Sequence, residues 1–296
     1  MKTASRVNRR LSYACRGQSV DGRIIGGIDA DDDKYRYIVR LEYQITLIEH
    51  GNLYLLHQMH RCTASVLTPI WTLTAAHCFQ LDGIQVPEHN VSMRPVVTHG
   101  PRNSSVFSKV MYFVPHPTYS LRMLDLHNDI ALIRHEPIKL KQYAHVSGLD
   151  YLTMAGLTVT LAGYGITNVK LNKTIDDDDT RNEVVGDATT LGKPLQVVDV
   201  VVIQCSKEND GTRPIFGGMC LARACGKLSG LCPGDSGGPL LHTSGVVGVN
   251  SIGSRQLETF CSLKPHPVFY DVAGVTPTSP YIDWISSTIK NSALIQ

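Results

Sequence analysis

From Val39 the chain alternates between apolar and polar positions: Val39, Leu41, Tyr43 and Ile45 are separated by Arg40, Glu42 and Gln44. A period of two predicts a strand with one face on a core and one turned away. Leu157-Thr158-Val159-Thr160-Leu161 repeats the pattern, and Val197 to Ile203 is a nearly continuous β-branched run, predicting a strand covered on both faces. Gly and Pro interrupt these runs at short intervals. A helical period arises only near the end. There Ser279 is placed to cap, Pro280 to take the first helical position, and Ile282, Ile285 and Ile289 to share a face. Many short strands with one terminal helix predict β-barrels or a β-sandwich. The polar stretch Thr167 to Thr190, with Asp176-Asp177-Asp178-Asp179 inside it, reads as an exposed, mobile loop carrying a solvated charge run.

Composition narrows the classes. The chain has 296 residues, 43% of them hydrophobic, and a formal net charge of +2, which allows a large core and gives no argument for a nucleic-acid partner. No apolar run reaches the ~18 residues of a membrane span. Residues 1–23 are basic and polar and read as a leader without a core, with one unit over 24–296. That leader lacks the apolar centre of a signal peptide. Eight cysteines and the sequons at Asn90, Asn103 and Asn172 nevertheless favour a secreted, extracellular protein whose signal is not visible in this sequence.

The candidate chemistry centres on Cys232-Pro233-Gly234-Asp235-Ser236-Gly237-Gly238-Pro239. Glycines on both sides of Ser236 let the backbone turn tightly and approach another molecule. The N–H groups of Gly234 and Ser236 are placed to stabilise negative charge near the Ser236 hydroxyl. Asp235 between them is expected to turn inward, where it needs a cation. Ser236 needs a base to become a nucleophile. Among 12 histidines, His77 stands out, because it follows the apolar strand Trp71 to Ala76 and precedes Cys78. Asp129, at the start of the apolar run Ile130 to Ile133, would enter the interior and need a partner such as the His77 ring. Arg23-Ile24-Ile25-Gly26-Gly27 reads as a cut site for a protease that cleaves after basic residues, and the new ammonium at Ile24 would suit Asp235. The plain alternatives are a Gly/Pro/Ser turn at 232–239 and a strand entry at 23–27.

Together, Arg23-Ile24-Ile25-Gly26-Gly27, Thr74-Ala75-Ala76-His77-Cys78, Asn128-Asp129-Ile130-Ala131-Leu132 and Gly234-Asp235-Ser236-Gly237-Gly238-Pro239 resemble, in order, the motifs of the chymotrypsin-family serine proteases. The resemblance runs from Ile24 to the terminal helix. It implies an all-β fold of two antiparallel six-stranded β-barrels with a C-terminal helix and the site between the barrels. It also implies His77 as base, Asp129 as its orienting carboxylate, Ser236 as nucleophile, Gly234 and Ser236 as oxyanion hole, and Ser251 as support for Asp129 and for the substrate backbone. A zymogen cut after Arg23 follows, with Ile24 pairing with Asp235. Three disulfides are implied, Cys62–Cys78, Cys205–Cys220 and Cys232–Cys261. Cys15 and Cys225 are left to pair with each other or to stay free or intermolecular.

Specificity departs from the trypsin pattern. The pocket-base position, six before the nucleophile, is Gly230, so no charge awaits a basic side chain. Ser251-Ile252-Gly253 forms the wall, with an open entrance at Gly253. Val268 narrows the pocket, Leu231 adds apolar bulk, and Asn250 adds a polar group. The sum implies small or aliphatic residues, with a chymotrypsin-like preference as runner-up. Thr63 and Ala64 stand where the family has Gly-Gly, adding bulk near the nucleophile, and Tyr164 stands for a tryptophan. The stretch Pro101 to Phe107, which matches the family's calcium loop, has no carboxylate, so no calcium, other metal or cofactor is expected. Expected partners of this monomer are a protein or peptide substrate, an activating trypsin-like protease and a proteinaceous inhibitor. No nucleic acid or membrane is expected. The competing reading is a catalytically silent homologue that binds partners through the same fold.

Overall fold

In the computed structural model the period-two segments are strands that close into two antiparallel barrels. The structure describes residues 27–31, 33–49, 52–80, 91–100, 104–122, 125–165, 169–172, 183–186, 194–203, 218–223, 231–232, 234–252 and 273–291. Around the first barrel the strands run Ile38–Glu49, Asn52–Thr68, Trp71–Thr74, Ala131–His135, Val106–Pro115 and Val91–His99, and the last pairs back with the first. Around the second they run Gln196–Ile203, Thr158–Gly163, Pro239–His242, Gly245–Ile252, Ala273–Pro277 and Met219–Arg223, which pairs back with Gln196–Ile203. A short strand, Ile28–Asp29, adds to this second sheet along Gln196 and Val197.

Burial explains the closure. Val39, Leu41 and Tyr43 are all buried, and Val39 and Leu41 share a core with Trp71, Leu73 and Leu132. In the second barrel Val198, Val200 and Val202 meet Leu161, Leu240 and Val275. Full burial of one such side chain contributes about 1.5–3 kcal/mol, so these rows decide which face of each strand turns inward. The polar row of the first strand is not simply solvated. Glu42 is buried, accepts hydrogen bonds from Gln58 and Thr98 on the two neighbouring strands, and has Arg40 Nε at 3.6 Å. Along Gln196–Ile203 one expectation changes. Asp199 is exposed and accepts from Thr160 Oγ1 at 3.0 Å, so its face is only partly covered.

Two further segments differ from expectation. Within the stretch read as a loop, Val169–Asn172 and Glu183–Gly186 pair as a hairpin, while Asp176 to Asp179 lie outside the described residues. At the C-terminus a 3-10 turn, Ser279–Tyr281, precedes the α-helix Ile282–Asn291. The Ser279 hydroxyl is not the cap; it accepts from the Tyr151 N–H at 3.3 Å. Ile285 is buried, Ile289 packs against the first core, and Tyr281 and Trp284 stand edge-on to His116. No described helix is long and apolar enough to cross a membrane.

One buried polar group makes the first barrel acid-sensitive. His135 is fully buried, with Nδ1–H donating to the Glu136 carbonyl at 2.7 Å and Nε2 accepting from Thr72 Oγ1 at 2.8 Å. Burial pushes its pKa down to about 4, with Arg134 and His99 adding to the effect and the Glu136 carbonyl opposing it. The unfolded chain takes up this proton near pH 6.5 and the folded chain only near 4, so stability from neutral His135 is present above 6.5 and is lost as pH falls toward 4. That loss is about 3 kcal/mol. His135→Gln should flatten the fall of Tm between pH 6.5 and 4; a variant whose Tm follows the wild-type slope would show that His135 does not carry it.

Candidate active site

The strand Trp71–Thr74 is buried along its whole length and ends in the turn Ala76–Phe79, which carries His77 to the edge of the first barrel. Cys78, buried, is disulfide-bonded to Cys62 on the neighbouring strand, with a Cα–Cα distance of 6.1 Å. This bond holds the turn to the barrel wall directly after His77.

Asp129 arrives from another direction. The preceding Asn128 takes a left-handed conformation, φ 53°, which asparagine tolerates better than most residues. Its side chain is fixed by donation to Thr118 Oγ1 at 2.9 Å and by acceptance from the Tyr281 hydroxyl at 2.6 Å. The turn points Asp129 inward, where its side chain is 1% exposed. There Oδ1 accepts from the His77 backbone N–H at 2.9 Å, and Oδ2 accepts from His77 Nδ1 at 2.7 Å and from Ser251 Oγ at 2.5 Å. Burial pushes this carboxyl up, but His77, Ser251 and the His77 N–H outweigh it and hold Asp129 below the usual carboxylate range. An ionised Asp129 only accepts, so Nδ1 of His77 carries its proton and Nε2 keeps its lone pair. The His77 side chain is 21% exposed. The arrangement is that of a general base with an oriented imidazole.

Ser236 sits in a loop pressed onto the first barrel. Its carbonyl accepts from the Thr63 N–H at 2.8 Å, and Gly237 N–H donates to Asn250 O at 2.7 Å. Gly237 has φ 77°, and a Cβ there would lie 2.1 Å from Thr74 Oγ1 and 2.4 Å from Thr63 O, so only glycine allows the approach. Ser236 is thereby tied to His77 in short steps, through Thr63, its neighbour Cys62 and the disulfide to Cys78. His77 Nε2 and Ser236 Oγ are not hydrogen-bonded to each other among the described residues. The N–H groups of Gly234 and Ser236 donate to no group among the described residues.

Asp235 is fully buried. Its Oδ1 accepts from Gly165 N–H at 2.7 Å and its Oδ2 from Cys232 N–H at 2.9 Å. A Cβ on Gly165 would lie 2.5 Å from the carboxyl group, so the residue facing Asp235 must be glycine. Burial pushes the pKa up to about 7 against the pull of these two N–H groups, and among the described residues no cation pairs with it. Arg23 and Ile24 lie outside the described residues.

Of the other residues singled out, Ser251 and Ile252 end the strand Gly245–Ile252, and Leu231 is buried in the core of the second barrel. Asn250 turns inward, its Nδ2 donating to Asp235 O at 3.3 Å and to Ala162 O at 3.4 Å. Gly230, Gly253 and Val268 lie outside the described residues. Cys220 and Cys232 are also disulfide-bonded, and Cys205, Cys261, Cys15 and Cys225 are outside the described residues. Among the described residues one cluster brings three residues of metal-ligating type together, Cys62, His77 and Cys78, but its two sulfurs are spent on the disulfide. Sequence reasoning quotes Asn128 in its motif without a role and misses Tyr281, the two residues that set the backbone ahead of Asp129; the tyrosine lies 153 residues from the asparagine, with no local signal.

Comparison with known proteins agrees with this geometry. The family model described as Trypsin matches residues 24–285. Kallikrein-15 of Homo sapiens is 28% identical over 256 residues, covering 84% of this chain and 87% of its own. Trypsin eta of Drosophila melanogaster is 27% identical over 280 residues, covering 93% and 91%. The solved structure of neuropsin, a serine protease expressed in the limbic system of mouse brain, superposes with a TM-score of 0.59 at 20% identity, over 89% of this chain and 98% of that one, and so shares the fold. The two closed barrels, the ordered motifs and the match across 24–285 make this chain a member of the trypsin family of serine proteases.

Proposed function

We propose that the chain is a secreted serine endopeptidase, made as a zymogen and activated by cleavage after Arg23. The observation that carries this reading is the buried Asp129 carboxylate, held by His77 and Ser251 from the two barrels. It sets the tautomer that leaves Nε2 of His77 free to take a proton. Ser236 Oγ attacks the scissile carbonyl as His77 removes its proton, and the N–H groups of Gly234 and Ser236 receive the oxyanion. His77 then protonates the leaving amine, and water, activated in the same way, releases the acyl group. The family resemblance assigns Gly230 to the pocket-base position and Val268 to the pocket wall, which supports a preference for small or aliphatic side chains, and profiling against a peptide library reads that preference directly. Protein or peptide chains are the substrates, and a protease cutting after basic residues is the activator.

Incubation with a fluorophosphonate probe, before and after limited trypsin treatment, tests the activity. Label should map to Ser236 and rise by about 100-fold or more once Ile24 is the N-terminus. Asp129→Asn should lower turnover by about 10⁴-fold while the fold persists, because the wrong imidazole tautomer is held. A folded, cleaved chain that takes no label would instead be a binding homologue.

The titration of Asp235 tests activation separately. In the uncut chain the carboxyl is neutral until about pH 7, against 3.8 when unfolded. Its stabilising contribution is therefore complete below about 3.8 and is lost as pH rises through 7. The separation of about three pH units corresponds to a loss on the order of 4 kcal/mol. Cleavage supplies the Ile24 ammonium and removes that loss. The Tm of the cut Ser236→Ala chain should exceed that of the uncut one by a margin that widens from pH 5 to 7.5; a margin independent of pH would argue against the pairing.

A further inference from the structure

Thr63 stands next to Cys62 in the wall of the first barrel and is fully buried, yet every polar atom it has reaches the catalytic loop or its supports. Its N–H donates to Ser236 O at 2.8 Å, and its carbonyl accepts from Thr74 Oγ1 at 3.0 Å. Its hydroxyl accepts from the Tyr164 N–H at 3.0 Å and donates to Gly234 O at 2.9 Å. The same Gly234 carbonyl receives a second bond from His60 Nε2 at 3.1 Å. With the proton on Nε2, His60 leaves its buried Nδ1 without a partner, and burial lowers its pKa and keeps the ring neutral.

The Gly234 carbonyl and the Asp235 N–H belong to one peptide plane. Its N–H end donates to Cys232 O at 3.0 Å, so the plane is pinned at both ends. The direction of the Gly234 N–H, the oxyanion donor, is then set by rotation within a single residue, at φ 96°. Expected from sequence only to add bulk beside the nucleophile, the Thr63 side chain instead forms a bridge between barrels. We propose that the Thr63 hydroxyl is a positioning residue for the oxyanion hole: it fixes the Gly234 peptide from the first barrel, independently of the Ile24 ammonium that acts through Asp235. The proposal rests on the catalytic reading above. It assigns the aim of one donor to a hydroxyl of the first barrel that touches the Gly234 carbonyl directly, whereas the Asp235 carboxylate takes its hydrogen bonds from Gly165 and Cys232.

The test uses full-length Thr63→Val, which keeps the volume and removes the hydroxyl, and Thr63→Ser, which keeps the hydroxyl. After cleavage, kcat per active site titrated with fluorophosphonate should fall about 10–100-fold in Thr63→Val with KM within about twofold, and Thr63→Ser should recover it. A role limited to stability would lower the titrated fraction and leave kcat per site unchanged, which would overturn the proposal, as would an equal loss in both variants. Amide hydrogen exchange reads the same anchor without turnover. Exchange over 234–238 should accelerate at least about tenfold in Thr63→Val and not in Thr63→Ser, with the strand Gln196–Ile203 unchanged as an internal standard. If cleaved wild-type chain shows no turnover, the catalytic reading fails and exchange alone decides on Thr63; equal exchange in wild type and Thr63→Val rejects it.

Discussion

A carboxylate taken out of water must be compensated on the spot, and Asp129 is compensated from both barrels at once. His77 contributes its ring N–H and its backbone N–H from the first barrel, and Ser251 contributes its hydroxyl from the second. A buried hydrogen bond to a charged group is worth about 1.5–3 kcal/mol, and leaving the charge unpartnered costs more than that. The bonds that orient the imidazole are therefore also contacts between the two barrels. The packing between the barrels is carried by apolar side chains of both, among them Leu41 and Leu73 with Val197 and Val249, and the Asp129 charge adds the directed contact that orients the imidazole within that packing.

Asp235 is the physical opposite of Asp129. Both are buried carboxylates, but Asp235 receives only two backbone N–H groups, which do not offset the loss of water, and its pKa is pushed up to about 7. Asp129 gains a ring N–H, a hydroxyl and a backbone N–H, and is pushed down. The difference lies in partners, since the depth of burial is nearly the same. One carboxylate is complete within the described structure, and the other is short of a cation. A group left in that state titrates near neutrality and responds strongly to any charge brought beside it.

Much of this was legible in the chain. The period of two predicts the strands, and His77 and Asp129, each conspicuous beside an apolar run, do meet, with Nδ1 2.7 Å from Oδ2, whereas the role of Ser236 rests on the family resemblance. Closure was less legible. Glu42 reads as a solvent position from its alternation, but its partners Gln58 and Thr98 come from two other strands and cover it. The pattern predicts the terminal helix and places Ser279 to cap it, but the Ser279 hydroxyl accepts from the Tyr151 N–H, 128 residues away. Local pattern names the face of a strand and the type of a group, and it does not name a distant partner.

Thr63 shows the same limit at the site itself. By sequence it is a polar residue intruding on a position that resembles a glycine, and bulk is the only property such a substitution displays. Its hydroxyl meets a backbone carbonyl 171 residues away and a backbone N–H 101 residues away. Backbone groups carry no side-chain signature, so no motif could have announced the contact. Yet they are the groups such a loop must control, since the proposed oxyanion donors, the N–H groups of Gly234 and Ser236, are themselves backbone groups. The parts of this site that read clearly from sequence are side chains and the backbone of a glycine-flanked motif, both of them local. The parts that aim the chemistry are backbone planes, and their control passes to residues such as Thr63, Asn128 and Tyr281 whose partners sequence does not name.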